Sequence, residues 1–101
     1  MFSFLKRLFP PSTNYNELLE RGAIIIDVRT PQEFDNGHIK GSKNIPLNLV
    51  KGELGKIKSW DKPIITVCQS GGRSNAAKSL LKAAGVEVYN GGGWMGLKSK
   101  L

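Results

Sequence analysis

One cysteine and one histidine are all that this chain of 101 residues offers in thiol or imidazole ligands. A lone cysteine excludes an intrachain disulfide and a cysteine-based zinc cluster, and the lone His38 removes the usual second ligand type, so no metal site is readable. A single thiol also suits a reducing compartment, and a cytoplasmic location is expected. No stretch is biased enough in Ser, Gln, Pro or charge to suggest disorder, and 101 residues leave room for one core only. Fifteen Lys and Arg against eight Asp and Glu give a formal charge of +7, so the surface should draw anions towards any cleft. The basic residues are scattered, however, with no run of four and few aromatics among them, and nucleic acid is not expected as a partner. A long apolar run is also missing. The opening Met1–Phe9 is interrupted by Lys6 and Arg7 and stops at Pro10-Pro11, too short for a signal peptide or a membrane span. Residues 1–11 read as an arm that packs on the domain or frays. A weak membrane-surface anchor through Phe2, Phe4, Leu5, Leu8 and Phe9 is the less favoured reading.

From residue 12 onward, apolar runs of strand length alternate with helical patterns. Ser12-Thr13-Asn14 supplies cap candidates for a short helix to Arg21, with Gly22 as its stop. Ala23–Val28 is a continuous β-branched run, apolar on both faces, as in a central strand of a covered parallel sheet. Thr30-Pro31-Gln32-Glu33 has the form of a capping box with proline at the first helical position. Lys43–Pro46 reads as a short extended piece. Leu47, Val50, Leu54 and Ile57 then fall at helical spacing, weakened by Gly52 and Gly55. Pro63–Val67 is a second buried strand that runs directly into Cys68 and a glycine-rich turn. A helix is predicted over Ser74–Ala84, with Ala76, Ala77, Leu80, Leu81 and Ala84 as its apolar stripe. Val86–Tyr89 makes a further strand, and Asn90–Gly93 is expected to break it before a terminal piece from Trp94 to Leu101. This alternation predicts an α/β domain over residues 12–101 with a mainly parallel sheet and a site at the carboxyl ends of its strands.

The turn Cys68-Gln69-Ser70-Gly71-Gly72-Arg73 is where chemistry is expected. A cysteine ending an apolar strand is ordinarily a small buried hydrophobe. Here Gly71 and Gly72 permit backbone conformations that turn the N–H groups from Gln69 to Ser74 inward as an anion cradle. The helix start near Ser74 adds partial positive charge and Arg73 a full one. Those surroundings favour a thiolate, and the same donors would hold a Cys68 persulfide or the oxygens of an incoming anion.

The sequence resembles the rhodanese family through Ile26–Phe34, Gly37–Pro46, Val67–Ser74 with Ala76, Ala77, Leu80 and Gly85 after it, and Gly92-Gly93-Trp94, in family order. The resemblance implies one rhodanese domain, α/β, with a sheet of about five strands flanked by helices on both faces. It implies a sulfurtransferase that moves sulfane sulfur from a small anionic, thiosulfate-like donor to a thiol or cyanide acceptor through a Cys68 persulfide, with no cofactor. Gln69, Ser70, Gly71, Gly72, Arg73 and Ser74 would form the anion- and persulfide-binding loop. Four residues separate Cys68 from Arg73, whereas phosphatase relatives have five, so sulfur transfer is favoured over a phosphatase or arsenate reductase. A persulfide relay acting on a partner protein is the main alternative. Gln69 and Ser70 stand where thiosulfate-using tandem members often carry a basic pair.

Asp27 and Arg29 end the first long strand beside the loop, and are expected to brace it: Asp27 by accepting loop N–H groups, Arg29 by pairing with Glu33 or another acid. His38 reads as part of a structural connector rather than as a general base. Trp60 and Trp94 are expected to pack, Trp94 near the cleft rim, and Gly91–Gly93 to form a plain turn, the less favoured reading being glycines that let the backbone approach the active loop. The molecule is expected to be a monomer.

Overall fold

A computed structural model describes residues 13–101; the arm expected over residues 1–11, and with it the membrane-anchor reading, lies outside the described residues. The first helix, α1 (Tyr15–Glu20), starts where Asn14 accepts the Glu17 N–H, and the chain leaves it through Gly22 at φ +89°. Strand β1 (Ile24–Asp27) follows, then α2 (Pro31–Asp35), whose capping box between Thr30 and Glu33 forms as predicted. After β2 (Lys43–Asn44), the expected helix over residues 47–57 is split into α3 (Leu47–Val50), a 3-10 turn (Lys51–Glu53) containing Gly52, and α4 (Leu54–Ser59). The apolar stripe survives the break, with Val50 and Ile57 buried.

Strand β3 (Ile64–Cys68) is buried at every position and feeds α5 (Gly72–Ala83), which starts two residues earlier than predicted because Gly71, at φ +111°, already turns the chain. Its buried face is Ser74, Ala77 and Leu81, while Ala76 of the predicted stripe is exposed. Strand β4 (Val88–Gly93) and α6 (Trp94–Lys100) complete the described chain.

The sheet is parallel throughout, in the order β2-β1-β3-β4. It has four strands among the described residues rather than about five; the four are the extended segments legible in the residues themselves. Alternation along the strands divides the core. Ile26, Val28, Ile64, Cys68 and Val88 face Val50, Ile57, Ala77 and Leu81, whereas Ile25, Ile65 and Val67 face Leu18 and Leu97. Helices therefore cover both faces, which explains why β1 and β3 carry unbroken apolar runs. The ends of β1 and β3 meet α2 and α5 at one edge, where Val28 N–H bonds to the Val67 carbonyl.

The expected turn at Asn90–Gly93 is instead strand. Its register skips Gly91: Thr66 pairs with Asn90 and Val67 with Gly92, a β-bulge. A Cβ on Gly91 would lie 2.9 Å from Ile65 Cγ2 and 3.0 Å from both the Thr66 carbonyl oxygen and Val67 Cγ1. One on Gly93 would lie 2.9 Å from the Gln69 carbonyl oxygen. These glycines are there because β4 must press against β3 and the loop after it.

Gly91→Ala should therefore destabilise the domain by about 1–3 kcal/mol through overpacking. Gly96→Ala, in α6 where a Cβ meets open space, should add roughly 0.5–1 kcal/mol. Urea unfolding of both variants would test the pair, and equal midpoints would contradict the close approach.

Candidate active site

At the carboxyl end of β3 the Cys68 sulfur is almost fully enclosed, the residue being 1% exposed. The chain folds back over it so that the Gly71 N–H donates to Sγ at 3.0 Å, which the left-handed conformation of Gly71 makes feasible. The Ser74 hydroxyl lies 3.3 Å from Sγ in the first turn of α5. Burial pushes the Cys68 thiol pKa up, but hydrogen bonds from the Ser74 hydroxyl and from the Ser74, Gly71 and Ser70 N–H groups pull it down by more, leaving it below its ordinary value. Gln69 and Ser70 are exposed, with Gln69 leading from the strand and Ser70 at the crest of the turn. Of the loop residues, Gly71, Ser74 and the Ser70 N–H are thus brought around the sulfur.

Arg73 is placed differently from its expected role as a free charge. Its Nη1 and Nη2 fork onto Glu33 Oε1 and Oε2 at 2.7 and 3.0 Å, tying α5 to α2. The Glu33 carboxylate, which also accepts from the Thr30 N–H and hydroxyl, is held down at about 2, first by Arg73 and next by the Thr30 N–H. The pair is neutral overall, so the loop's anion-attracting field comes chiefly from peptide N–H groups and the start of α5. A guanidinium has five N–H groups, and those not aimed at Glu33 remain for a ligand.

Asp27 and Arg29 form a brace in which Asp27 itself is the acid that Arg29 pairs with. Arg29 does not pair with the Glu33 carboxylate, which Arg73 has taken; its Nε and Nη2 bond to Asp27 Oδ1 and Oδ2 at 2.9 and 2.7 Å, and its N–H groups reach the backbone oxygens of Glu33 and Gly37. Asp27 Oδ1 also accepts the Arg29 N–H at 3.1 Å. The two residues are 0% and 2% exposed, so deleting either would strand a buried charge at a cost of about 3–5 kcal/mol. Asn44 Nδ2 bonds to the carbonyls of Asp27 and Arg29, fixing β2 to the same corner.

A cysteine-terminated central parallel strand, a double-glycine turn over its sulfur and an acid–base brace on the neighbouring strand agree with the match of residues 12–100 to the rhodanese-like domain. This chain belongs to the rhodanese family. It is 34% identical over 89 residues to the thiosulfate sulfurtransferase GlpE of Ectopseudomonas mendocina, covering 87% of this chain and 79% of that one. It is 46% identical over 71 residues to the uncharacterized protein YqhL of Bacillus subtilis, spanning 69% of this chain but only 56% of YqhL. An Escherichia coli rhodanese solved with anions superposes with a TM-score of 0.68 at 32% identity, over 73% of this chain and 89% of that one.

Within this rhodanese domain the remaining candidates separate clearly. His38 stacks on Phe34 with ring centroids 3.7 Å apart, and its Nδ1 lies 2.8 Å from the Phe34 carbonyl, consistent with a connector. Trp60 packs beside the Val50–Ile57 core. Trp94 lies under the Arg29 guanidinium, 4.7 Å from Cζ to the ring, and lines a shallow depression with Glu33, Gly37, Gln69 and Met95. A second depression, lined by Thr30, Pro46, Leu47 and Arg73, adjoins the loop from the other side. A larger concavity than either, about 510 Å³ between Lys58, Lys62, Pro63 and Glu87, lies at the amino ends of the strands, away from Cys68. Among the described residues no three His, Cys, Asp or Glu side chains are grouped so as to hold a metal ion.

Two residues at the site escaped sequence reading. Glu33 was legible as a cap but not as the partner of Arg73, 40 positions away. Asn90 has the sequence character of a strand breaker, yet its Oδ1 lies 2.6 Å from Ser74 Oγ. Continuing the alternation of Val88 by two residues puts Asn90 on the face of α5, which is the signal that could have found it.

Because the Glu33 carboxyl is depressed from 4.5 to about 2, its ion pair stabilises the folded chain fully above 4.5 and is lost as pH falls through about 2. Glu33→Gln should remove that component. Denaturation midpoints measured across this acid range should fall more steeply for the wild type than for the variant; parallel profiles would contradict the pairing.

Proposed function

We propose that the protein is a sulfurtransferase that carries sulfane sulfur on Cys68 from a thiosulfate-like donor to a thiophilic acceptor. The observation that carries this reading is the enclosure of the Cys68 sulfur by the Gly71 N–H and Ser74 hydroxyl at 3.0 and 3.3 Å, which lowers the thiol pKa despite burial. The name of the GlpE relative supports the donor class.

In the proposed cycle the Cys68 thiolate attacks the outer sulfur of thiosulfate. A new S–S bond forms, the old one breaks, and sulfite departs with the bonding pair, leaving Cys68-S-S⁻. Loop N–H groups stabilise the charge on the outer sulfur, and Arg73 offers its unpaired N–H groups to the sulfite oxygens. An acceptor nucleophile such as cyanide or a thiolate then bonds to the outer sulfur, and the cysteine leaves as thiolate, restoring the resting site. His38 has no part, since the thiolate is stabilised by the loop without a base. The four-residue interval from Cys68 to Arg73, with Gly71 turned onto the sulfur itself, favours this chemistry over phosphate-ester hydrolysis.

Mass spectrometry after thiosulfate treatment should show one added sulfur on the wild type and none on Cys68→Ala. A wild type unmodified by thiosulfate and by other persulfide donors, or Cys68-dependent hydrolysis of an aryl phosphate, would overturn the assignment. Labelling that appears only with a protein donor would move the reading to a persulfide relay.

A further inference from the structure

The hydroxyl of Ser74 has one proton and three neighbours that can receive it. Asn90 Oδ1 lies at 2.6 Å, the Gly71 carbonyl at 3.0 Å and Cys68 Sγ at 3.3 Å. Ser74 is fully buried, so bulk water does not relieve the competition. The orientation of the Asn90 amide decides it. Oδ1 accepts the Gly92 N–H at 2.9 Å while Nδ2 donates to the Gly71 carbonyl at 3.3 Å; turning the amide over would set its NH₂ against the Gly92 N–H, donor against donor, and its oxygen against the Gly71 carbonyl. Asn90 therefore shows Ser74 an acceptor. Two oxygens 2.6 Å apart need a proton between them, and the proton is Ser74's.

With its proton committed to Asn90, Ser74 Oγ turns a lone pair to Cys68. That suits the thiol, whose S–H it can accept, and opposes the thiolate. Ionisation of the sulfur requires the Ser74 hydroxyl to rotate away from Asn90 and donate to Sγ. We propose that Asn90 is a positioning residue that competes with the Cys68 thiolate for the Ser74 proton and so sets how readily the sulfur ionises. The role rests on the reading of Cys68 as the sulfur carrier, in which the thiolate is both attacking group and leaving group. When Cys68 carries the outer sulfur, its own Sγ is divalent and nearly neutral and the hydroxyl returns to Asn90; when an acceptor takes that sulfur, the hydroxyl swings back to the thiolate.

The fold supports such a placement. The bulge at Gly91 and the bond from Tyr15 Oη to the Asn90 carbonyl, at 3.0 Å, fix the end of β4, so the amide is held from a rigid strand. The charged groups nearest the loop are Arg73 on α5 with its partner Glu33 on α2, and the Asp27–Arg29 pair at the end of β1; Asp35 lies at the far end of α2, and Lys78 and Lys82 lie further along α5. Strand β4 contributes only Tyr89, on the opposite face. None of these bonds to Asn90.

The test is the pH titration of the Cys68 thiolate, followed by ultraviolet absorbance and by the rate of alkylation with iodoacetamide, which needs no sulfur donor. Asn90→Ala should release the Ser74 proton to the sulfur and raise the thiolate fraction below the midpoint about tenfold, one unit of pKa. Ser74→Ala should move the midpoint up. In the Ser74→Ala background Asn90→Ala should have no further effect. Asn90→Asp, close to isosteric, keeps the acceptor and adds negative charge, and should move the midpoint up. A folded Asn90→Ala with an unchanged or raised midpoint, or with the same fall in the absence of Ser74, would overturn the proposal. Should the alanine variant not fold, a fall or no change in Asn90→Asp would do so. A titration that behaves as stated while no donor labels Cys68 would overturn the sulfur-transfer reading and leave the role of Asn90 standing.

Discussion

The contact on which the site depends is the hydrogen bond from the Gly71 N–H to Cys68 Sγ. To make it, the chain must reverse within three residues of a buried strand end, which only a residue at ease with positive φ allows. The reversal starts α5 at Gly72 and brings Ser74, in the first turn, within 3.3 Å of Sγ. It also aims the Gly71 carbonyl inward, where the Asn75 N–H and Asn90 Nδ2 both donate to it. One turn of backbone thereby creates the cradle, the helix start and the anchor for β4.

Around that turn the molecule has arranged its charges in neutral pairs. Asp27–Arg29 is buried and braces the neighbouring loop; Glu33–Arg73 is partly exposed and ties that loop to α5. The sulfur is stabilised by dipoles instead of by a lone cation. In the proposed cycle, peptide N–H groups held by a rigid backbone need no reorganisation when charge moves between Sγ and an outer sulfur, and a fully buried hydroxyl with three rival acceptors follows that charge by rotation alone.

The glycines of β4 connect packing to chemistry. A side chain at Gly91 or Gly93 would collide with β3 or with the Gln69 carbonyl, so the strand can reach the loop only because it is bare there. The bulge at Gly91 keeps Asn90 facing α5 while Gly92 doubles back to bond to its amide. Read along the chain, Asn-Gly-Gly-Gly has the composition of a turn. It is strand because close approach to β3 outweighs the entropic cost of ordering glycine.

Much was legible without a structure, and for a common reason. The buried strands, the capping box at Thr30–Glu33, the cysteine loop and the start of a helix behind it depend on residues within a few positions of one another, and local sterics and hydrogen bonding determine those. What required the tertiary structure joins distant segments: Glu33 with Arg73, Ser74 with Asn90, Tyr15 with the end of β4, and the glycine strand pressed on β3. Arg29 shows the boundary. Its nearby acids, Asp27 and Glu33, were both in view, and the choice between them fell to Asp27 because Arg73, brought in by α5 from across the sheet, had already taken the carboxylate of Glu33.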